Sequence, residues 1–235
     1  MNKYTEMQKK QYELDASNWS IENRDPVVGS FDQHNEWADY NKFLFKDIDD
    51  CQDKILLDFG CGPGRNLVKY KDKFKELHGI DIAKNNIDNA KKYLEFSKCD
   101  ISKHKLYINS GIDLEVLNDD IYDVVMSTIC MQHICVYDIR FSLLKEFYRV
   151  LKPGGYVTVQ MGFGPKNSST SVDYYANFYD ASGTNSLCDT RVENPEQLKN
   201  DLEKVGFSNF NFYITQVGPG DYHHPNWIFF NARKA

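Results

Sequence analysis

Between residues 55 and 66 the chain reads Ile55-Leu56-Leu57-Asp58-Phe59-Gly60-Cys61-Gly62-Pro63-Gly64-Arg65-Asn66. The apolar run Ile55–Leu57 lacks polar alternation, the pattern of a parallel strand covered on both faces. Glycines follow at alternate positions, Gly60, Gly62 and Gly64, and glycine tolerates positive φ and lets a ligand lie against bare backbone. Asn66–Phe74 then reads as a helix. Strand, glycine turn and helix in that order put the turn at the carboxyl end of a strand, where open α/β sheets bind ligands. The dinucleotide fingerprint G-x-G-x-x-G, counted from Gly60, needs a glycine at position 65, where Arg65 stands. That spacing disfavours a nicotinamide dehydrogenase.

Outward from this stretch, strands and helices alternate. Leu77–Ile82 predicts a second strand ending in an acid, Asp81, 21 residues after Gly60. A carboxylate there accepts two donors, which suits the paired ribose hydroxyls of an adenosine cofactor. The plainer alternative is that Asp81 caps the next helix, whose apolar face includes Ile87, Ala90 and Leu94. Further strands are predicted at Lys105–Asn109, Ile121–Ser127, Tyr156–Met161, Asn209–Thr215 and Asn226–Asn231, and helices at Val136–Leu151 and Pro195–Val205. Leu151-Lys152-Pro153-Gly154-Gly155 is expected to stop the first of these helices and turn the chain, and Gly206 to close the second.

Asp58-x-Gly60-x-Gly62-x-Gly64 resembles motif I of the class I S-adenosylmethionine-dependent methyltransferases. Tyr122-Asp123-Val124-Val125 is similar to the F-D-x-V pattern of that family, and Arg149–Tyr156 (R-V-L-K-P-G-G-Y) resembles it closely. The resemblance runs in order over about Ile55–Ala235, with Met1–Asp53 and the loop at 162–190 outside it. It implies a Rossmann-like, doubly wound α/β fold: a seven-stranded sheet, mostly parallel with an antiparallel last strand, helices on both faces, and an N-terminal helical cap. Residues 1–53 would form the cap or lid and residues 54–235 the methyltransferase domain, with 162–190 as a substrate-side insertion. It implies S-adenosyl-L-methionine as cofactor and S-adenosyl-L-homocysteine as product. The residues it would place at the cofactor are Asp58, Gly60, Cys61, Gly62, Gly64, Asn66, Asp81, Ile82 and Thr128, with Gly111, Ile112 and Asp113 at the adenine. His133 follows the fourth strand, where the family often carries histidine, and an imidazole of ordinary pKa near 6.5 suits a general base. Holding the local turn is its plainer role. No metal is expected.

The remaining stretches bear on the acceptor. Lys3–Asp15 reads as a helix with Tyr4, Met7, Tyr12 and Leu14 among charges, and Trp37–Phe45 as another with Trp37, Tyr40 and Leu44 on one side. Trp19 and Trp37 in the cap, Tyr175 in the insertion, and Tyr222, His223 and His224 in the last turn are the candidate substrate residues. Arg24, Arg140 and Arg191 could bind an anionic substrate, and their plainer reading is as surface ion pairs. The net charge of −6 argues against a nucleic-acid backbone as main partner, and the sequence after the fourth strand lacks the D-P-P-Y type of base-flipping motif. Six scattered cysteines with no C-x-x-C pair read as reduced thiols. No apolar stretch is of bilayer length and no leader pattern opens the chain, so a cytoplasmic protein with no membrane partner is expected. The reading is a methyltransferase acting on an O or N atom of a small polar metabolite or sugar unit of a glycan. The alternatives are a noncatalytic S-adenosylmethionine-binding protein and, behind it, a nucleic-acid methyltransferase; monomer and homodimer both stay open.

Overall fold

Residues 3–24, 41–165, 171–179, 189–216 and 225–235 are described by the computed structural model. The stretch around the glycines forms β1 (Ile55–Phe59), with four of its five residues buried. Parallel to it run β2 (Glu76–Asp81), β3 (His104–Ile108), β4 (Tyr122–Thr128) and β5 (Leu151–Phe163). A two-residue pair, β6 (Ser171–Val172) with β7 (Asp189–Thr190), lies outside the main sheet, which β8 (Phe207–Gln216) and β9 (Asn226–Lys234) complete. The sheet order is β3-β2-β1-β4-β5-β9-β8, and β9 is antiparallel to both of its neighbours. Strand order therefore reverses between β1 and β4, which opens a crevice at their carboxyl ends.

Both faces of the sheet's central strands are buried because these strands alternate apolar residues toward two separate cores. Leu57, Phe59, Val125, Val157, Val159, Ile228 and Phe230 pack with α5 (Tyr137–Val150) and α6 (Pro195–Val205) through Leu143, Phe147, Leu198 and Leu202. Leu56, Leu77, Val124, Met126 and Phe229 pack on the other face against Leu67 of α3 (Arg65–Lys69) and Ile87 and Leu94 of α4 (Lys84–Phe96). Each fully buried Phe or Leu contributes about 1.5–3 kcal/mol relative to exposure. The segment before β1 feeds both cores. Tyr4 of α1 (Lys3–Ser17) enters the first, and Leu44 of α2 (Asn41–Leu44) and Phe45 enter the second.

Three local expectations change. The helix after the glycine turn ends at Lys69 rather than Phe74, because Tyr70 and Phe74 turn inward to pack edge-on around Phe45. Leu151–Gly155 does not leave the sheet: β5 starts at Leu151, paired with Tyr122, and a register shift beside Asp123 takes up the extra residues. Gly154 supplies the needed φ of +79° there. Of the helix expected over Trp37–Phe45, the structure has Asn41–Leu44, and residues 37–40 lie outside the described ones. The predicted α6 holds with both boundaries, started by the Asn194–Gln197 capping box and stopped by Gly206 at φ +114°. Cys51, Cys61, Cys99, Cys130 and Cys135 are free thiols, and Cys188 lies outside the described residues. No described helix is long and apolar enough to cross a membrane.

Candidate functional site

The glycine turn is stitched to β2. Gly60 N–H and Cys61 N–H both donate to the Ile80 carbonyl, at 2.8 and 3.1 Å, and Gly62 N–H donates to Asp81 Oδ2 at 2.9 Å. The other Asp81 oxygen accepts from Ala83 N–H at 2.9 Å and Asn86 Nδ2 at 3.2 Å. Asp81 thus joins the turn to the start of α4, and the capping alternative describes part of what it does. Burial pushes its carboxyl up, against these three donors. A side chain at Gly60 (φ +73°) would place its Cβ 2.2 Å from Cys130 Sγ, so the loop after β4 seats its thiol against bare backbone.

Asp58 is fully buried beneath this turn. Asn66 Nδ2 donates to Thr128 Oγ1 at 3.0 Å and, weakly, to Asp58 Oδ1 at 3.5 Å. Asp58 Oδ2 and Asn66 Oδ1 are buried acceptors with no partner among the described residues. Burial raises the Asp58 carboxyl to about 7, with the Arg65 charge and the Asn66 hydrogen bond working the other way. Orphaned buried acceptors are costly, and these fit a ligand carrying a cationic donor.

At the next loop, Ser110 Oγ accepts from Ile112 N–H and Asp113 N–H, both at 3.2 Å. Asp113 turns its own Oδ1 to Glu115 N–H, at 3.3 Å. Gly111, at φ +86°, lies under Ile82 and Thr5 of α1: a Cβ there would sit 2.6 Å from Ile82 Cδ1 and 3.2 Å from Thr5 Cγ2. Sequence reading passed over Asn109, which is buried with its Oδ1 unpartnered and donates its N–H to the Asp81 carbonyl at 3.1 Å. It stands one residue past β3, a position the spacing alone does not flag.

β4 ends at Thr128, and Ile129 then takes φ +61°, a conformation that costs a β-branched residue about 1–3 kcal/mol. A short helical turn, Met131–His133, follows. His133 Nδ1 is 2.5 Å from Asp189 Oδ1. A carboxylate has no proton to give, so Nδ1–H donates and the neutral ring keeps its lone pair on Nε2. Gln132 Nε2 reaches the other Asp189 oxygen at 3.4 Å. Burial works against the charged imidazole, but the charge and hydrogen bond of Asp189 outweigh it and raise the His133 pKa. From the other side α1 fixes the same turn: Gln8 Nε2 and Tyr4 Oη both donate to the His133 carbonyl, at 2.6 and 3.3 Å. Cys135 N–H donates to Tyr4 Oη at 2.7 Å. Tyr12, farther along α1, has its phenol pushed well up by burial and by nearby Cys130, Asp189, Tyr4 and Asp81.

Of the residues expected at the acceptor, Tyr175 packs edge-on against Tyr137 and Tyr174 and is half exposed. Trp19 sets its ring against Tyr93 of α4 rather than joining His133. Trp37, Tyr222, His223 and His224 lie outside the described residues. The three arginines are buried rather than at the surface. Arg140 is buried and donates to the Ile134 and Tyr174 carbonyls and to Thr190 Oγ1; Arg191, also buried, donates to the Pro165 carbonyl. Arg24 lies over the rings of Tyr93 and Phe96. Their task is to tie loops down.

Residues 57–159 match the methyltransferase domain family. Phosphoethanolamine N-methyltransferase 2 of Caenorhabditis elegans is 32% identical over 118 residues, which is 48% of this chain and 26% of that protein. The malonyl-[acyl-carrier protein] O-methyltransferase of Salmonella typhimurium is 28% identical over 102 residues, 43% of this chain and 36% of its own length. The matched stretch therefore spans well under half of these relatives. Among solved structures, Haemonchus contortus phosphoethanolamine N-methyltransferase 2 with S-adenosyl-L-methionine superposes with a TM-score of 0.68 at 17% identity, over 100% of this chain and 60% of that one. The [4+2]-cyclase SpnF gives 0.66 at 17% identity, over 96% and 94%. The match to the methyltransferase domain family is thus confined to residues 57–159, and the fold is the one seen in S-adenosylmethionine-dependent methyltransferase structures.

Proposed function

We propose that the chain is an S-adenosylmethionine-dependent methyltransferase acting on an oxygen or nitrogen of a small polar metabolite. The observation that carries this reading is the His133–Asp189 pair, a histidine with its lone pair on Nε2, set directly after the strand that borders the glycine turn. S-adenosylmethionine, when bound, supplies an activated methyl group on a sulfonium, open to in-line displacement. In this reading the glycine turn gives backbone close approach, Asp81 accepts the ribose hydroxyls, and the unpartnered Asp58 oxygen takes the amino group. Gly111, Ile112 and Asp113, with Ile82, frame the adenine. His133 Nε2 accepts the proton of the attacking hydroxyl or amine, and Asp189 holds the ring in orientation and stabilises the imidazolium. α1, held to the His133 carbonyl by Tyr4 and Gln8, keeps water off the reacting atoms.

The relatives that act on phosphoethanolamine and on a carrier-bound malonyl group support the N and O alternatives alike, and sugar units stay in the panel. The test is calorimetric titration with S-adenosylmethionine, S-adenosylhomocysteine and NAD, then an acceptor screen that reads S-adenosylhomocysteine release. Micromolar binding of the two sulfur nucleosides, with no NAD binding, is expected. Absence of sulfur-nucleoside binding overturns the reading. A [4+2]-cyclase uses the same fold, so binding without methyl transfer to any acceptor would move the assignment to a noncatalytic or rearranging role.

A further inference from the structure

Gln160, at the carboxyl end of β5, is the register partner of Thr128 on β4, so the two side chains leave the sheet on one face. Its side chain is fully buried. Its Oε1 accepts the Ile129 N–H at 2.8 Å. A backbone N–H can be met only by the amide oxygen, which fixes the orientation of the amide. The oxygen thus holds Ile129 in its left-handed conformation, and Nε2 is left over, a buried donor with no partner among the described residues. Along the same face Asn66 links Thr128 to Asp58, and the two other orphans of this row, Asp58 Oδ2 and Asn66 Oδ1, are acceptors. This row, from Asp58 through Asn66 and Thr128 to Gln160, therefore carries two unmatched acceptors and one unmatched donor. That is the complement of a zwitterion: an ammonium at Asp58 and Asn66, a carboxylate at Gln160.

We propose that Gln160 binds the α-carboxylate of the amino-acid end of the sulfur nucleoside, while Asp58 and Asn66 take its ammonium. This rests on the cofactor reading above and adds to it a residue that selects for an intact amino acid. Gln160 is a binding residue and also a positioning residue, since the same side chain sets the turn leading to His133.

Gln160→Glu tests this cleanly, because a carboxylate keeps an oxygen for the Ile129 N–H and replaces the donor with a negative charge. S-adenosylhomocysteine and 5′-methylthioadenosine, which lacks the amino acid, are titrated against wild type and variant. The expected result is a loss of about 30-fold or more in S-adenosylhomocysteine affinity, with 5′-methylthioadenosine affinity changed by less than about 2-fold. Equal losses for both compounds, or an unchanged S-adenosylhomocysteine affinity, overturn the proposal. Should Gln160→Glu fail to fold, the wild type still decides. It must bind S-adenosylhomocysteine at least about 10-fold more tightly than the decarboxylated analogue, and equal affinities overturn the proposal. Wild-type protein that binds neither S-adenosylhomocysteine nor 5′-methylthioadenosine overturns the cofactor reading itself, and the role of Gln160 with it.

Discussion

The proposed site has two halves, one for the nucleoside and one for the acceptor, built in opposite ways. The nucleoside half, around Gly60–Gly64 and Asp81, comes from the ends of adjacent parallel strands and is bonded within itself, turn to strand and acid to turn. The acceptor half gathers pieces from far along the chain: Tyr4 and Gln8 from α1, His133 from the β4 exit, and Asp189 from β7, 56 residues beyond its histidine. The first half is part of the fold and comes with it. The second depends on the docking of peripheral segments, and it is there that relatives of one fold diverge in chemistry.

That contrast makes perturbations separable. The largest effect is expected from His133→Ala, which should lower turnover by about 10²–10⁴-fold while leaving S-adenosylhomocysteine affinity within about 2-fold. A parallel loss of affinity in calorimetry would show that the halves are not distinct. Asp81→Ala should do the reverse, weakening S-adenosylhomocysteine binding by roughly 10- to 100-fold through loss of a charge-assisted pair of bonds. An unchanged affinity would return Asp81 to its capping role. Gly60→Ala drives a Cβ into Cys130 and should lower stability by about 1–3 kcal/mol, read as a drop in melting temperature. Cys130→Gly in the same chain should recover most of it; no recovery would place the cost in φ alone.

Asp189→Asn sharpens the acceptor half. With Asp189 present the His133 pKa is raised, so a rate that needs neutral imidazole climbs with pH through a midpoint above about 6.5. In the variant burial is left to act alone, so that midpoint should fall below the ordinary histidine value of about 6.5, with maximal rate also reduced. The stability contribution follows the same sign: the raised pKa adds stability that is complete below the ordinary histidine value and disappears as pH rises through the folded one. A midpoint that does not move would remove Asp189 from the mechanism. The smallest effect is expected at Glu13, whose carboxylate accepts from Lys84 N–H and Asn85 N–H at 2.7 and 2.9 Å and so caps α4 from α1. Glu13→Ala should cost about 0.5–2 kcal/mol and increase hydrogen exchange in the first turn of α4, with His133 kinetics little changed.

The same contrast explains what could be read in advance. The sheet, α6 and the glycine turn were legible because their signals are local: apolar runs, a cap pair, glycines at fixed spacing. Tyr4 and Tyr12 looked like an imperfect apolar face of a charged helix, and their meaning comes from what the helix lies against. Asp189 was invisible, since it sits in a stretch without periodicity and gains its role through one contact in space. Gln160 was hidden in plain strand alternation, where a buried amide among Val159 and Met161 carries no spacing signal. The early end of α3 likewise follows from the pull of Phe45 on Tyr70, a tertiary contact that overrides helix propensity.

The empty side of Gly60 has one more consequence. Because the Cys130 sulfur occupies the volume a side chain would have taken, the two loops mesh like cogs, with no intermediary between them. The missing methyl group of one glycine is what lets the loop that leads to His133 pack directly on the turn after β1.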